Sequence, residues 1–204
     1  MIIEACVLSL IVGFVRRGSL KSLGRLPLRH YYLFLIPLAG FGLVCSIAHN
    51  GPTKEVLGYV RVANILQYGL LCLAAILNFH IREMRLFAVG EFMNFLTVLV
   101  NKGVMPISTW ALKIAGMQSF LTPEVQERFV RHVIMEPASR LKVFADVIPV
   151  PGVTFPLVPG SGISFTLGLE VVSLGDVLIS IALFILIQRY MCSRSTKAAM
   201  GSAR

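Results

Sequence analysis

Acidic residues are scarce in this sequence. Ten Asp and Glu stand against nineteen Lys and Arg, and charged residues of all kinds make up only 14% of the 204 positions. The resulting charge of +9 invites a nucleic-acid reading, but such a binder gathers its cations on one face. Here they sit beside apolar blocks, so no nucleic-acid partner is expected. Tryptophan occurs once, as Trp110. The four cysteines, Cys6, Cys45, Cys72 and Cys192, lack the spacing of a zinc or redox motif. His30, His49, His80 and His132 are scattered. No Gly-rich phosphate loop, HExxH helix or GxSxG elbow is present, so the motifs of the commoner nucleotide enzymes, zinc peptidases and serine hydrolases are missing. From the sequence we expect no metal and no cofactor, and lean against an enzyme.

What is abundant is apolar sequence. Hydrophobic residues reach 56%, mean hydropathy is +0.79, and the apolar residues fall in five blocks: 2–15, 31–48, 56–77, 86–100 and 174–188. A membrane helix needs roughly 20 such residues and satisfies its own backbone hydrogen bonds. The pattern predicts an all-α fold: one integral membrane domain over residues 1–204, a polytopic bundle of about five transmembrane helices.

Cations set the expected orientation. The first connection carries Arg16, Arg17, Lys21, Arg25 and Arg29, the third carries Arg82 and Arg85, and the tail at 189–204 carries Arg189, Arg194, Lys197 and Arg204. The short second connection carries only Lys54. By the positive-inside rule the N-terminus lies outside a bacterial cytoplasmic membrane and the C-terminus in the cytoplasm. Cations follow the first block rather than precede it, unlike a secretory signal. Residues 101–173 then form a long external segment. Its Lys102, Lys113, Arg128, Arg131, Arg140 and Lys142 soften the contrast, although long translocated segments weigh little in that rule.

Within the external segment, Ser108 is placed to cap a short helix through Ala115. Thr122-Pro123-Glu124 reads as the start of a second, amphipathic helix, with Leu121, Val125, Phe129 and Val133 on one face and Glu124–Arg128 and Glu127–Arg131 pairs on the other. Pro149, Pro151, Pro156 and Pro159 exclude regular helix there, so the apolar stretch 148–169 is expected to be interfacial or re-entrant.

Ionisable residues in apolar blocks are costly and so become candidates. Glu4, Arg61 and Asp176 fall in the outer third of the expected membrane, where Arg61 can pair with either acid. Asp176 also completes a capping box with Ser173. Glu91 lies deeper in its block, one turn from Asn94, within reach of Arg82 or Arg85, and is a candidate proton or cation site.

Three stretches carry a family resemblance. Asn94 leads to Asn101-Lys102-Gly103 and Met105-Pro106; Ser139-Arg140-Leu141 leads to Ala145-Asp146-Val147-Ile148-Pro149; and Ser173-Leu174-Gly175-Asp176 opens the last block. Together they resemble DUF5317, a family of bacterial membrane proteins of unknown function, with Lys102, Ser139 and Ala145 as departures from its pattern. The resemblance implies a multi-span membrane protein and no established activity. It draws Asn94, Asn101, Met105, Pro106, Arg140, Asp146 and Asp176 together, with Arg140 paired to Asp146 or Asp176 beneath the external segment.

Three functions compete at this point. The first is a non-catalytic accessory, sensor or assembly protein whose partners are the lipid bilayer, other membrane proteins or a second copy. The second is a small transporter or channel component using Glu91 and Asn94 with the outer polar cluster at the far end of its path, against which stands the lack of an inverted repeat. The third is a lipid-binding or lipid-modifying protein at the outer leaflet, with Arg140 holding a phosphate.

Overall fold

The computed structural model describes residues 1–49, 53–122, 125, 131–156 and 164–201. It is mostly helical. Helix α1 (Ile2–Val15), α3 (Tyr32–His49), α4 (Lys54–Leu77), α5 (Arg82–Val100) and α7 (Leu174–Gly201) form the bundle, and they coincide with the five apolar blocks. The connections hold a four-residue turn of helix, α2 (Leu20–Leu23), the short α6 (Thr109–Ala115) and two 3-10 turns, Gln118–Leu121 and Lys142–Phe144. Glu55–Leu77 and Leu174–Cys192 are long and apolar enough to cross a membrane, while Ile2–Val15 and Tyr32–Val44 are apolar but shorter. The 14 residues of α1 rise only about 21 Å at 1.5 Å each. Helix α5 carries Arg82, Glu83, Arg85 and Glu91.

Helix α7 is the central element, packed against α5 on one side and α1 on the other. Small residues permit the approach. A Cβ on Gly90 would lie 2.5 Å from the Gly175 carbonyl oxygen, so α5 and α7 meet backbone to backbone. On the other side Gly13 faces Met191, Ser9 Oγ donates to the Phe184 carbonyl at 2.9 Å, and Gln188 Nε2 donates to the Ser9 carbonyl. Small and hydroxylated residues at a helix interface are the usual means of bringing apolar helices close. Helices α3 and α4 pair through Phe41 and Val60, and α4 packs on α5.

The connection 101–173 corrects the all-α expectation. It contains short strands as well as short helix: β1 (Met105–Ile107), β2 (His132–Ile134), β3 (Ile148–Val150), β4 (Val153–Pro156), β5 (Ser164–Leu167) and β6 (Glu170–Val172). β1 pairs in parallel with β2, and on its other side Ile107 bridges Asp146. β3 pairs with β6 and β4 with β5, both antiparallel. Val133 therefore belongs to a strand and not to an amphipathic helix. Leu121 ends a 3-10 turn (Gln118–Leu121) and Val125 is helical, both packed against Ile107, Leu112 and Phe120, while Glu124, Glu127, Arg128 and Phe129 lie outside the described residues, as does Pro159. The capped helix at Ser108 is present: its Oγ accepts from the Ala111 amide at 3.4 Å. Strands at 148–156 agree with the proline count, since Pro149 and Pro156 suit short two-stranded edges. This connection covers the end of the bundle where α5 finishes and α7 begins, termed here the cap end.

The two sides of the bundle differ in an unusual sense. Its outward faces are apolar: Ile3, Val15, Leu35, Ile36, Leu43, Tyr59, Val62 and Leu66 are all more than half exposed. Its interior holds Ser9, Asn64, Gln67, Asn78, Glu91, Asn94 and Thr97.

Candidate functional site

The polar residues at the cap end are built on α5 and on the first turn of α7. Ser173 is buried, and its Oγ accepts from the Asp176 amide at 3.0 Å while Asp176 Oδ2 accepts from the Ser173 amide at 3.1 Å. This is the capping box expected from Ser173-Leu174-Gly175-Asp176. It also reaches across to α5. Ser173 Oγ donates to Asn94 Oδ1 at 2.7 Å, and Asn94 Nδ2 donates to Asp176 Oδ1 at 2.9 Å. Gly175 is required between them, because a Cβ there would collide with Asn94 and with the Gly90 carbonyl.

Glu91 stands one turn below Asn94 and is buried. The deep position expected of it is therefore continuous with the capping box, within electrostatic reach of Asp176 and Arg131. Its Oε1 has no hydrogen-bond partner among the described residues. Arg85 does not reach it; that guanidinium donates to the Phe79 carbonyl at 3.1 Å.

Arg131 is the residue whose place sequence reasoning missed. It precedes β2 and points into the bundle: Nη2 donates to the Tyr68 hydroxyl at 3.3 Å, and its guanidinium carbon sits 4.6 Å from the centre of the Phe41 ring. One cation of the cap thus touches both α3 and α4. A hydrogen bond and a cation–π contact together suit an arginine better than a lysine.

Asp146 is buried at 4% exposure. Its backbone is pinned to β1, donating to the Pro106 carbonyl at 3.0 Å and accepting from the Ser108 amide at 2.9 Å. Its carboxylate lies 3.3 Å from His132 Nε2. Burial pushes this carboxyl above the ordinary aspartate value, and the hydrogen bond to His132 works against that rise.

Asn101 and Arg140 are brought together, though through the arginine's backbone. Asn101 Oδ1 accepts from the Arg140 amide at 2.9 Å, and its Nδ2 donates to the Arg140 carbonyl at 2.9 Å and to the Thr97 carbonyl at 2.8 Å. The Arg140 side chain is exposed and makes no ion pair with Asp146 or Asp176. Beside it an open groove of about 420 Å³ is lined by Asn101, Lys102, Glu136, Ser139 and Arg140. Glu4 is held at the same end, its Oε1 accepting from the Gly168 amide at 3.0 Å and its other oxygen meeting the Met1 amine. Arg61 lies apart. It is exposed on α4, and only its backbone and Cβ take part, packed against Gly103.

The arrangement has the form of a fastening with one loose member: polar side chains tie α5 to α7 and the cap to α3 and α4, and Glu91 Oε1 is left without a hydrogen bond among the described residues. Comparison with known proteins adds relatives but no activity. No solved structure matches the chain. A Thermotoga maritima protein described only as uncharacterized is 27% identical over 185 residues, covering 91% of this chain and 89% of that protein. The model of DUF5317, described as a family of unknown function, matches residues 25–188, a stretch that holds every residue of the cluster except Glu4. The chain belongs to the DUF5317 family.

Proposed function

We propose that this chain is a five-span protein of the bacterial cytoplasmic membrane, with its N-terminus and the 101–173 cap outside and its C-terminus in the cytoplasm, serving a non-catalytic accessory, sensor or assembly role. The observation that carries this reading is the inverted polarity of the bundle. Large apolar side chains cover the outward faces of α1, α3 and α4, while amides, hydroxyls and a carboxylate are buried among the apolar residues of the interior. In water such a surface would aggregate; in lipid it is the expected one. The bonding of the cluster supports the non-catalytic role: Asn94, Ser173, Asp176 and Asn101 spend their bonds on one another and on backbone. Carbonate extraction of membranes, with reporter enzymes fused at the C-terminus and inserted near Glu136, tests it. Retention in the membrane with the C-terminus inside and residue 136 outside is expected; the reverse reporter pattern would overturn the orientation.

One observation favours a second reading. The unpartnered Glu91 Oε1 is a place for a proton or a monovalent cation, as a transporter component would need. Proton flux into vesicles reconstituted with wild type and with Glu91→Gln separates the two readings: flux lost in the variant favours transport, and no flux in either leaves the accessory role.

A further inference from the structure

The groove beside Arg140 is not needed by the fastening just described, and it combines three features. It is open, at about 420 Å³. It carries two cations, Lys102 and Arg140, whose side chains have no hydrogen-bond or ion-pair partner among the described residues. It also carries one acid, Glu136. Below it, along α5, Val89, Phe92 and Leu99 are 52%, 50% and 43% exposed. At spacings of three and seven residues they share one helix face, and the residues that follow Leu99 at the end of α5, Val100, Asn101 and Lys102, line the groove. Val89 to Leu99 is about 15 Å of helix, half of a hydrocarbon core of roughly 30 Å. The stripe is therefore one leaflet deep and ends in a cationic groove.

We propose that this groove binds the headgroup of an outer-leaflet glycerophospholipid. Lys102 and Arg140 hold the phosphodiester, Glu136 accepts from a hydroxyl or ammonium N–H of the headgroup, and an acyl chain lies along Val89, Phe92 and Leu99. The proposal rests on the membrane reading above. It accounts for cations on a face where the positive-inside rule does not ask for them. Arg140 is presented ready for the task, because Asn101 fixes its backbone on both sides and a guanidinium takes a phosphate with two parallel bonds.

The test uses the full-length chain, purified in a mild detergent and offered equal amounts of phosphatidylglycerol, phosphatidylethanolamine and phosphatidylcholine, with retained lipid read by native mass spectrometry. Wild type is expected to keep the first two over phosphatidylcholine, whose headgroup has no N–H or O–H to give Glu136. Lys102→Ala/Arg140→Ala is expected to lose them about tenfold or more, given the usual strength of charge-assisted bonds. Neither substitution touches a bond within the chain, since Asn101 holds only the backbone of Arg140, and Lys113→Ala is the control for charge alone. Equal retention by wild type and the double variant would overturn the site. So would inorganic phosphate binding as tightly as lipid, which would assign the groove to a free anion. A chain released from membranes by carbonate would instead overturn the membrane reading beneath it.

Discussion

At the cap end Asn101 closes α5 and holds both backbone groups of Arg140; at the far end Asn78 closes α4 and does the same to Arg29. The bonds correspond one for one. Asn78 Oδ1 accepts from the Arg29 amide at 2.7 Å, and its Nδ2 donates at 2.8 Å both to the Arg29 carbonyl and to Ala74, four residues back. In both places the residue after the arginine, His30 or Leu141, is left-handed at φ 51°. The surroundings differ. Asn78 is wholly buried, with Leu26 and Leu28 packed into the core beside it and His80 bonded to the Pro27 carbonyl at 2.8 Å. Asn101 is half-buried and borders the open groove. One device, a C-terminal asparagine that splices a passing chain onto a helix end, thus serves closure at one end and presentation at the other.

The comparison is broken most directly at Asn78. Asn78→Ala leaves the buried Ala74 carbonyl and the partly buried Arg29 amide and carbonyl short of partners, and unfolding in detergent should report a loss of about 2 kcal/mol. A loss below that of Asn101→Ala would show that burial does not distinguish the two ends.

The cap end holds the buried carboxylate of Asp146. Since Asp146 binds its proton more tightly folded than unfolded, the unfolded chain releases it first as pH rises. Stability therefore falls with rising pH from the ordinary aspartate value up to the folded one. His132→Gln removes the partner that restrains the rise, which should widen this window and deepen the loss by about 1.4 kcal/mol for each unit of added shift. Hydrogen exchange at the Ser108 amide, bonded to Asp146, should record the fall, while the Arg29 amide at the far end keeps its protection. Equal change at both amides would mean that the ends are not separate.

Asn101→Ala removes the same three bonds as the far-end variant, but water can reach them, so about 1 kcal/mol is expected. Its more telling readout is lipid retention. Freeing the Arg140 backbone should lower it even where folding survives, whereas Asn78→Ala should leave the retention of the folded fraction unchanged.

How much of this could be read in advance depends on the length scale of the signal. The bundle helices follow from apolar blocks, and their ends agree within a few residues except at the C-terminus of α7. The box at Ser173 and the cap at Ser108 are local codes, where a hydroxyl serves an amide three residues away, and the structure bears both out. The strands of the cap are three or four residues long, too short for alternation to register, and their pairing joins residues as distant as Met105 and His132. Arg131 looks in sequence like half of an i,i+4 pair, but its partners are Tyr68 and Phe41, on two helices far away along the chain. Asn101 came to notice through family resemblance, and Asn78, with equal bonding, gave no signal because its partner is 49 residues distant.

Lys102 is where stability and the proposed binding oppose each other. It sits at φ +59°, and a lysine held left-handed costs about 1 kcal/mol relative to its preferred regions. Lys102→Gly relieves that strain, though part of the gain is lost to the greater freedom of glycine in the unfolded chain. The net expectation is a small stabilisation, about 0.5 kcal/mol, seen as a raised unfolding midpoint. The same variant removes one of the two groove cations, so phospholipid retention should fall as the midpoint rises. No substitution at the far-end clamp should show that crossing of signs. A stabilised variant with undiminished lipid binding would reduce the cap-end clamp to what the far end already is, a closure and nothing more.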